Sequence, residues 1–190
     1  MTAHPTGRRR AVFLDRDGVL NAAIVRDGRP LSPATADEVV IIDGVREACR
    51  RLSDAGLLLV MVTNQPDIAR RTTSWETVDS INGHLAAELG LDAVFVCPHD
   101  DDDTCNCRKP APGLLVDAAA RLGVDRTTSV MVGDRWRDIE AGRRAGVTTV
   151  WVRSEYDEPA PVAPDHVVDS LLDVVPLVTS FATAGEASGR

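Results

Sequence analysis

Residues 57–62, Leu-Leu-Leu-Val-Met-Val, form an apolar run with no polar residue to turn toward solvent. A half-exposed strand would alternate, so an unbroken run reads as a strand covered on both faces. It stops at Thr63-Asn64-Gln65-Pro66, where the proline has no N–H for a sheet ladder. Ala11-Val12-Phe13-Leu14 reads the same way and predicts a strand over residues 11–15. Strands buried on both faces need helices above and below, and the chain supplies them in alternation.

Val45, Ala48, Cys49 and Leu52 recur at helical spacing after Asp43-Gly44, and that helix ends near Gly56. Ser74 caps a helix reaching about Glu88, followed by a strand at Ala93-Val94-Phe95-Val96. Pro112 opens a helix through Leu122 that Gly123 stops. Ser129-Val130-Met131-Val132 forms a strand closed by Gly133-Asp134, then come a helix over 137–145, a strand over 148–152, a short strand near Val167 and a helix over 170–178. Residues 21–39, with Gly28, Pro30 and Pro33, read as a loop or flap. The pattern predicts an α/β fold with a parallel sheet and crossover helices.

The chain is 190 residues long, one domain's worth: a basic tail over 1–10, a folded unit over 11–180 and a small, polar, disordered tail over 181–190. A net charge of −8 argues against a nucleic-acid surface. Arg8-Arg9-Arg10 precedes an apolar run too short for a signal peptide, and no stretch reaches the length of a membrane span. The expectation is a cytoplasmic monomer acting on a small molecule.

Three predicted strand ends carry polar residues: Asp15 and Asp17, Thr63 and Asn64, and Asp134. Ligands of open α/β sheets sit outside the carboxyl ends of the strands, so these clusters fit one site. A phosphate monoester repels a carboxylate, and a magnesium ion between Asp15 and Asp134 removes that repulsion. Asp15 could then attack phosphorus, Asp17 could protonate the leaving oxygen and later deprotonate water, and Thr63 and Lys109 could hold the phosphoryl oxygens.

The order Asp15-Arg16-Asp17-Gly18, Thr63-Asn64, Lys109 and Gly133-Asp134-Arg135 with Asp138 resembles the haloacid dehalogenase superfamily of phosphatases. That resemblance spans residues 12 to 138 and implies a Rossmann-like three-layer fold and an aspartyl-phosphate intermediate. It implies Asp15 as nucleophile and metal ligand, Asp17 as acid/base and backbone ligand, and Asp134 as metal ligand. Asp138 is either a partner of the lysine or metal waters, or a helix-surface acid. No long insertion follows Asp17 or separates Thr63 from Lys109, which leaves no room for a separate cap domain.

Cys97-Pro98-His99 and Cys105-Asn106-Cys107 supply three thiols and an imidazole, a complete soft shell for structural zinc. Cys49 stands apart, on an apolar helix face. Because Arg108-Lys109 follow Cys107 directly, fixing the 97–107 loop to zinc fixes where Lys109 points. Asp100 to Asp103, inside that loop, read as a solvated hairpin tip.

Cys-Pro-His, Cys-x-Cys-Arg-Lys-Pro and Asp-Arg-Asp-Gly-Val-Leu-Asn together resemble the heptose bisphosphate phosphatase family and the related histidinol-phosphate phosphatase domain. The resemblance implies Arg108 and Arg135 as substrate contacts beside Asn64. Arginines suit a bisphosphate, a cationic substrate suits acids, and the expectation is therefore the heptose bisphosphate, with histidinol phosphate as the alternative. From another class, a phospho-acceptor module would need Asp15 but not Asp17. The chain departs from the heptose family at Pro66-Asp67-Ile68-Ala69-Arg70-Arg71 and at Ala22-Ala23-Ile24-Val25 with Gly28-Arg29-Pro30, which places sugar specificity in loops of its own.

Overall fold

The computed structural model describes residues 9–186. Six parallel strands form one sheet: β1 (Ala11–Leu14), β4 (Leu58–Asn64), β5 (Ala93–Cys97), β6 (Val130–Gly133), β7 (Thr148–Val152) and β8 (His166–Val168). Their order is β5-β4-β1-β6-β7-β8. The three-layer α/β fold is the one expected from sequence. Along β1, Val12 and Leu14 join one apolar cluster and Ala11 and Phe13 the other. Along β4, Leu59 and Met61 alternate with Val60 and Val62 in the same way. A continuous apolar strand thus feeds two cores at once.

The first core lies under α1 (Val45–Asp54), α2 (Trp75–Leu89) and α5 (Leu171–Glu186), the second under α3 (Gly113–Leu122) and α4 (Trp136–Ala145). Cys49 is buried in the first, and burial pushes its thiol up to about 12, which keeps it protonated. The Ser74 hydroxyl accepts from the Thr77 amide and caps α2 as the sequence predicts.

Residues 21–39 are more ordered than the loop expected of them. They hold a β-hairpin, β2 (Ile24–Arg26) and β3 (Arg29–Leu31), turning at Asp27-Gly28, both with positive φ. Two strands of three residues leave too little alternation to read beforehand. The helix expected over 170–178 instead runs on to Glu186, into the segment expected to be a disordered tail. Once packed turns have nucleated a helix, each further residue costs little, and Ala182 and Ala184 favour it. Residues 1–8 and 187–190, the rest of the two predicted tails, lie outside the described residues. No helix among the described residues is long and apolar enough to cross a membrane.

The chain leaves β1 in both directions across the sheet, to β4 on one side and β6 on the other. That reversal opens a crevice at the carboxyl ends of β1, β4 and β6.

Candidate active site

Asp15 directly follows β1, with its amide donating to the Val132 carbonyl at 3.0 Å. Thr63 stands near the end of β4, and Asp134 follows β6. Three strands of one sheet therefore deliver the three polar groups to one place, and a fourth arrives from the cysteine loop. Lys109 Nζ, fully buried, donates to Asp15 Oδ1 at 2.7 Å and to the Val62 carbonyl at 2.9 Å, and pairs with Asp138 Oδ1 at 2.6 Å. Asp138 is 1% exposed, so it is the lysine's partner and not a helix-surface acid. Its second oxygen accepts from the Arg135 amide at 3.0 Å and caps α4.

Charge and burial oppose each other here. Burial raises Asp15 to about 6, Asp138 and Asp17 push in the same direction, and Lys109 pulls it back. Burial, then Asp15 and Asp138, push Asp134 well above the usual carboxylate range. For Lys109, burial favours the neutral amine, but Asp138 and Asp15 together outweigh it and keep the ammonium. Three buried acids against one buried amine leave the centre short of positive charge.

One oxygen of Asp134 accepts from the Tyr156 hydroxyl at 2.7 Å. The other, Oδ1, is buried with no hydrogen-bond partner. Oxygens of Asp15, Asp134 and Asp138 lie within 4.8 Å of one another. A hard divalent cation fits this set, since it would take the orphaned oxygen and supply the missing charge. Gly18 makes the close approach possible: with φ +88°, a Cβ there would stand 1.8 Å from Asp134 Oδ2.

Asp17 sits in a cage of donors. Arg16, completely buried, grips it with Nε at 3.2 Å and Nη2 at 2.9 Å, and anchors its own Nη1 on Asn82. Asn21 donates at 3.0 Å, Ser32 at 2.8 Å and Gln65 at 3.3 Å. Gln65 also donates to the Thr63 hydroxyl at 2.9 Å, linking the two functional side chains. Asn64, expected to touch substrate, holds the main chain of Lys109: its amide donates to the Lys109 carbonyl at 3.0 Å and accepts the Lys109 N–H at 3.1 Å.

The thiol cluster forms as its composition suggests. Cys97 Sγ lies 3.2 Å from Cys107 Sγ, 3.9 Å from Cys105 Sγ and 3.5 Å from His99 Nδ1, which is 3.3 Å from Cys107 Sγ. A tetrahedral zinc demands S···S of about 3.8 Å and S···N of about 3.6 Å, so the donor set and its size fit. Burial pushes the Cys97 thiol up, and the neighbouring Cys107 adds to it. Gly113 lets the loop sit on the start of α3, since a Cβ there would meet the Asn106 carbonyl at 2.1 Å.

A cleft of about 560 Å³ opens over Asp15, Asp17, Thr63 and Lys109. Its walls carry Arg29, Arg70, Arg108, Arg135 and Arg137. Arg135 pairs with Glu158, and Arg108 with Asp101 at 3.0 Å and the His99 carbonyl at 3.1 Å. Residues 101–103 form an exposed turn, and two acids of the run are also paired: Asp100 holds Arg70 and Asp101 holds Arg108. Sequence reasoning missed Arg16, Ser32, Gln65 and Tyr156. Arg16 alone gave a signal, a cation set between the two acids that end an apolar run.

A parallel sheet with a buried lysine among strand-end aspartates defines a phosphatase of the haloacid dehalogenase kind. A HAD-hydrolase-like family model matches residues 106–174. The chain is 38% identical over 181 residues to D-glycero-beta-D-manno-heptose-1,7-bisphosphate 7-phosphatase of Yersinia pestis, covering 86% of this chain and 92% of that one. The enzyme of that name from Haemophilus influenzae is 37% identical, with 87% and 94% covered. Among solved structures, the D,D-heptose 1,7-bisphosphate phosphatase of B. bronchiseptica, complexed with magnesium and phosphate, superposes with a TM-score of 0.76 at 31% identity, covering 90% of this chain and 98% of that chain. The chain belongs to the haloacid dehalogenase-like phosphatases, in the branch that holds these enzymes, and is a phosphoric monoester hydrolase.

Proposed function

We propose that the chain removes the 7-phosphate of D-glycero-D-manno-heptose 1,7-bisphosphate, as a cytoplasmic monomer with magnesium at the acid cluster and zinc at the thiol cluster. The observation that carries this reading is Lys109 Nζ between Asp15 and Asp138, beside the unpartnered oxygen of Asp134. Asp15 and Asp134, with the Asp17 carbonyl, would hold the magnesium; when bound it supplies positive charge against the phosphoryl oxygens.

Asp15 attacks phosphorus, the bond from phosphorus to the sugar oxygen breaks, and Asp17 gives that oxygen its proton. Asp17 then takes a proton from water, which attacks the aspartyl phosphate and releases phosphate with Asp15 restored. Lys109 and the Thr63 hydroxyl donate to phosphoryl oxygens in both steps. Lys109 is already charged and desolvated, so little reorganisation remains for the reaction. Zinc in the 97–107 loop and Asn64 hold that lysine from two sides.

Support for the substrate comes from the named relatives and from the five arginines of the cleft. Histidinol phosphate is the second reading, favoured by Asp67, Asp157 and Glu158 in the same walls. A panel of heptose bisphosphate, histidinol phosphate and common sugar phosphates, compared by kcat/KM with added magnesium, tests the proposal. A clear preference for the heptose bisphosphate is expected, and a preference for histidinol phosphate overturns it.

A further inference from the structure

Arg137 lies on the first turn of α4, one residue before the Asp138 that holds Lys109. Its Nη1 donates to Asp101 Oδ1 at 2.8 Å, and Arg108 Nε donates to the same oxygen at 3.0 Å. One carboxylate oxygen therefore joins two guanidinium groups from different parts of the chain, leaving a net positive charge at that point of the cleft wall. Asp101 answers by falling to about 2, chiefly through its hydrogen bond with Arg108.

The donors of the pair are not exhausted. Arg137 Nε is buried and has no hydrogen-bond partner, and no contact occupies Nη2 of either arginine among the described residues. Trp136 lies against the Arg137 guanidinium, 5.1 Å from ring centre to its carbon, and limits its swing. Both arginines line the cleft that contains Asp15 and Lys109. Two planar forks with spare N–H groups, a residual charge and a fixed spacing suit a dianion whose oxygens can take several donors at once.

We propose that Arg137 is a specificity-determining residue, which together with Arg108 seats the second, non-reacting phosphate of a sugar bisphosphate, while Asp101 positions the pair. This rests on the bisphosphate reading given above. Arg135, by contrast, gives Nε and Nη2 to a carboxylate of its own, Glu158, which balances its charge one to one. The arginine pair thus adds binding at the distal end of substrate and takes no part in breaking the ester bond.

Kinetics on two substrates test it, with magnesium present throughout: the heptose bisphosphate, and p-nitrophenyl phosphate as a monoester with no second phosphate. Arg137→Gln is expected to lower kcat/KM for the bisphosphate about tenfold through KM, with kcat and the monoester reaction unchanged within about twofold. Arg137→Lys, which keeps the charge and loses the fork, should fall between the two. Equal losses on both substrates, or no loss on the bisphosphate, overturn the proposal. A wild-type enzyme without preference for the bisphosphate overturns the substrate reading and this one with it. A wild type with that preference, retained in Arg137→Gln, overturns this one alone.

Discussion

The molecule gathers ionisable groups twice, buried at one site and half-buried at the other, and it does so in opposite ways. At the acid cluster, Lys109 pairs with two of three buried carboxylates, Asp15 and Asp138, and the third, Asp134, keeps one oxygen without a hydrogen-bond partner. At the thiol cluster, three sulfurs and an imidazole meet one another, and among the described residues no lysine or arginine side chain is hydrogen-bonded to them. The acid cluster lines the cleft; the thiol cluster stands at the end of the segment that brings Lys109 to it. A site that must change charge during a reaction keeps some compensation of its own and a free position. A site that must only hold a loop can leave its whole charge balance to a metal.

Asp15→Asn strikes the acid cluster at the attacking oxygen, and kcat should fall on the order of a thousandfold or more while the fold survives. Retention of magnesium-dependent turnover would falsify the assignment of the nucleophile. Asp138→Asn leaves the attacking group intact and loosens the lysine, with an expected loss in kcat of about tenfold to a hundredfold. If the thiol cluster only holds Lys109, then Cys107→Ser should release zinc, measured by elemental analysis, lower kcat by a similar or smaller factor and lower the Tm. Magnesium affinity should not move. A variant that lost magnesium along with zinc would merge the two clusters into one.

The smaller effects separate charge from geometry. Asn64→Ala removes the clamp on the Lys109 main chain and should cost about 1–3 kcal/mol of stability in urea, with the metals unaffected. In chelator, the acid cluster should show its own pH dependence through Asp15. Asp15 rises in the fold from 3.8 to about 6, so the folded protein binds that proton more tightly than the unfolded chain. Its contribution to stability is complete below about 3.8 and is lost as pH climbs through about 6. Asp15→Asn should flatten that part of the Tm profile.

Both clusters were visible in the sequence, for different reasons. The thiols are close neighbours in sequence, so composition alone exposed them. The acids are scattered from Asp15 to Asp138: the rule that strand ends meet at the sheet edge gathered Asp15 and Asp134, and the motif resemblance added Asp138. Arg16 and Gln65 escaped notice because their roles depend on which way a side chain turns in a loop. Asp101 escaped because a run of acids reads as solvated until the arginines that meet it, one of them thirty-six positions further along the chain, are placed. The helical extension to Glu186 was missed since weak local preference, and not pattern, carries it.

Asn64 grips Lys109 by both main-chain groups, and the thiols fasten the same segment two residues earlier. The stretch between His99 and Cys105 can therefore lengthen, shorten or change its acids without moving the lysine. Chemistry and selectivity are mechanically uncoupled at this point. A lineage of such enzymes can exchange one sugar phosphate for another by editing a few residues of loop, while the reacting centre stays as it was.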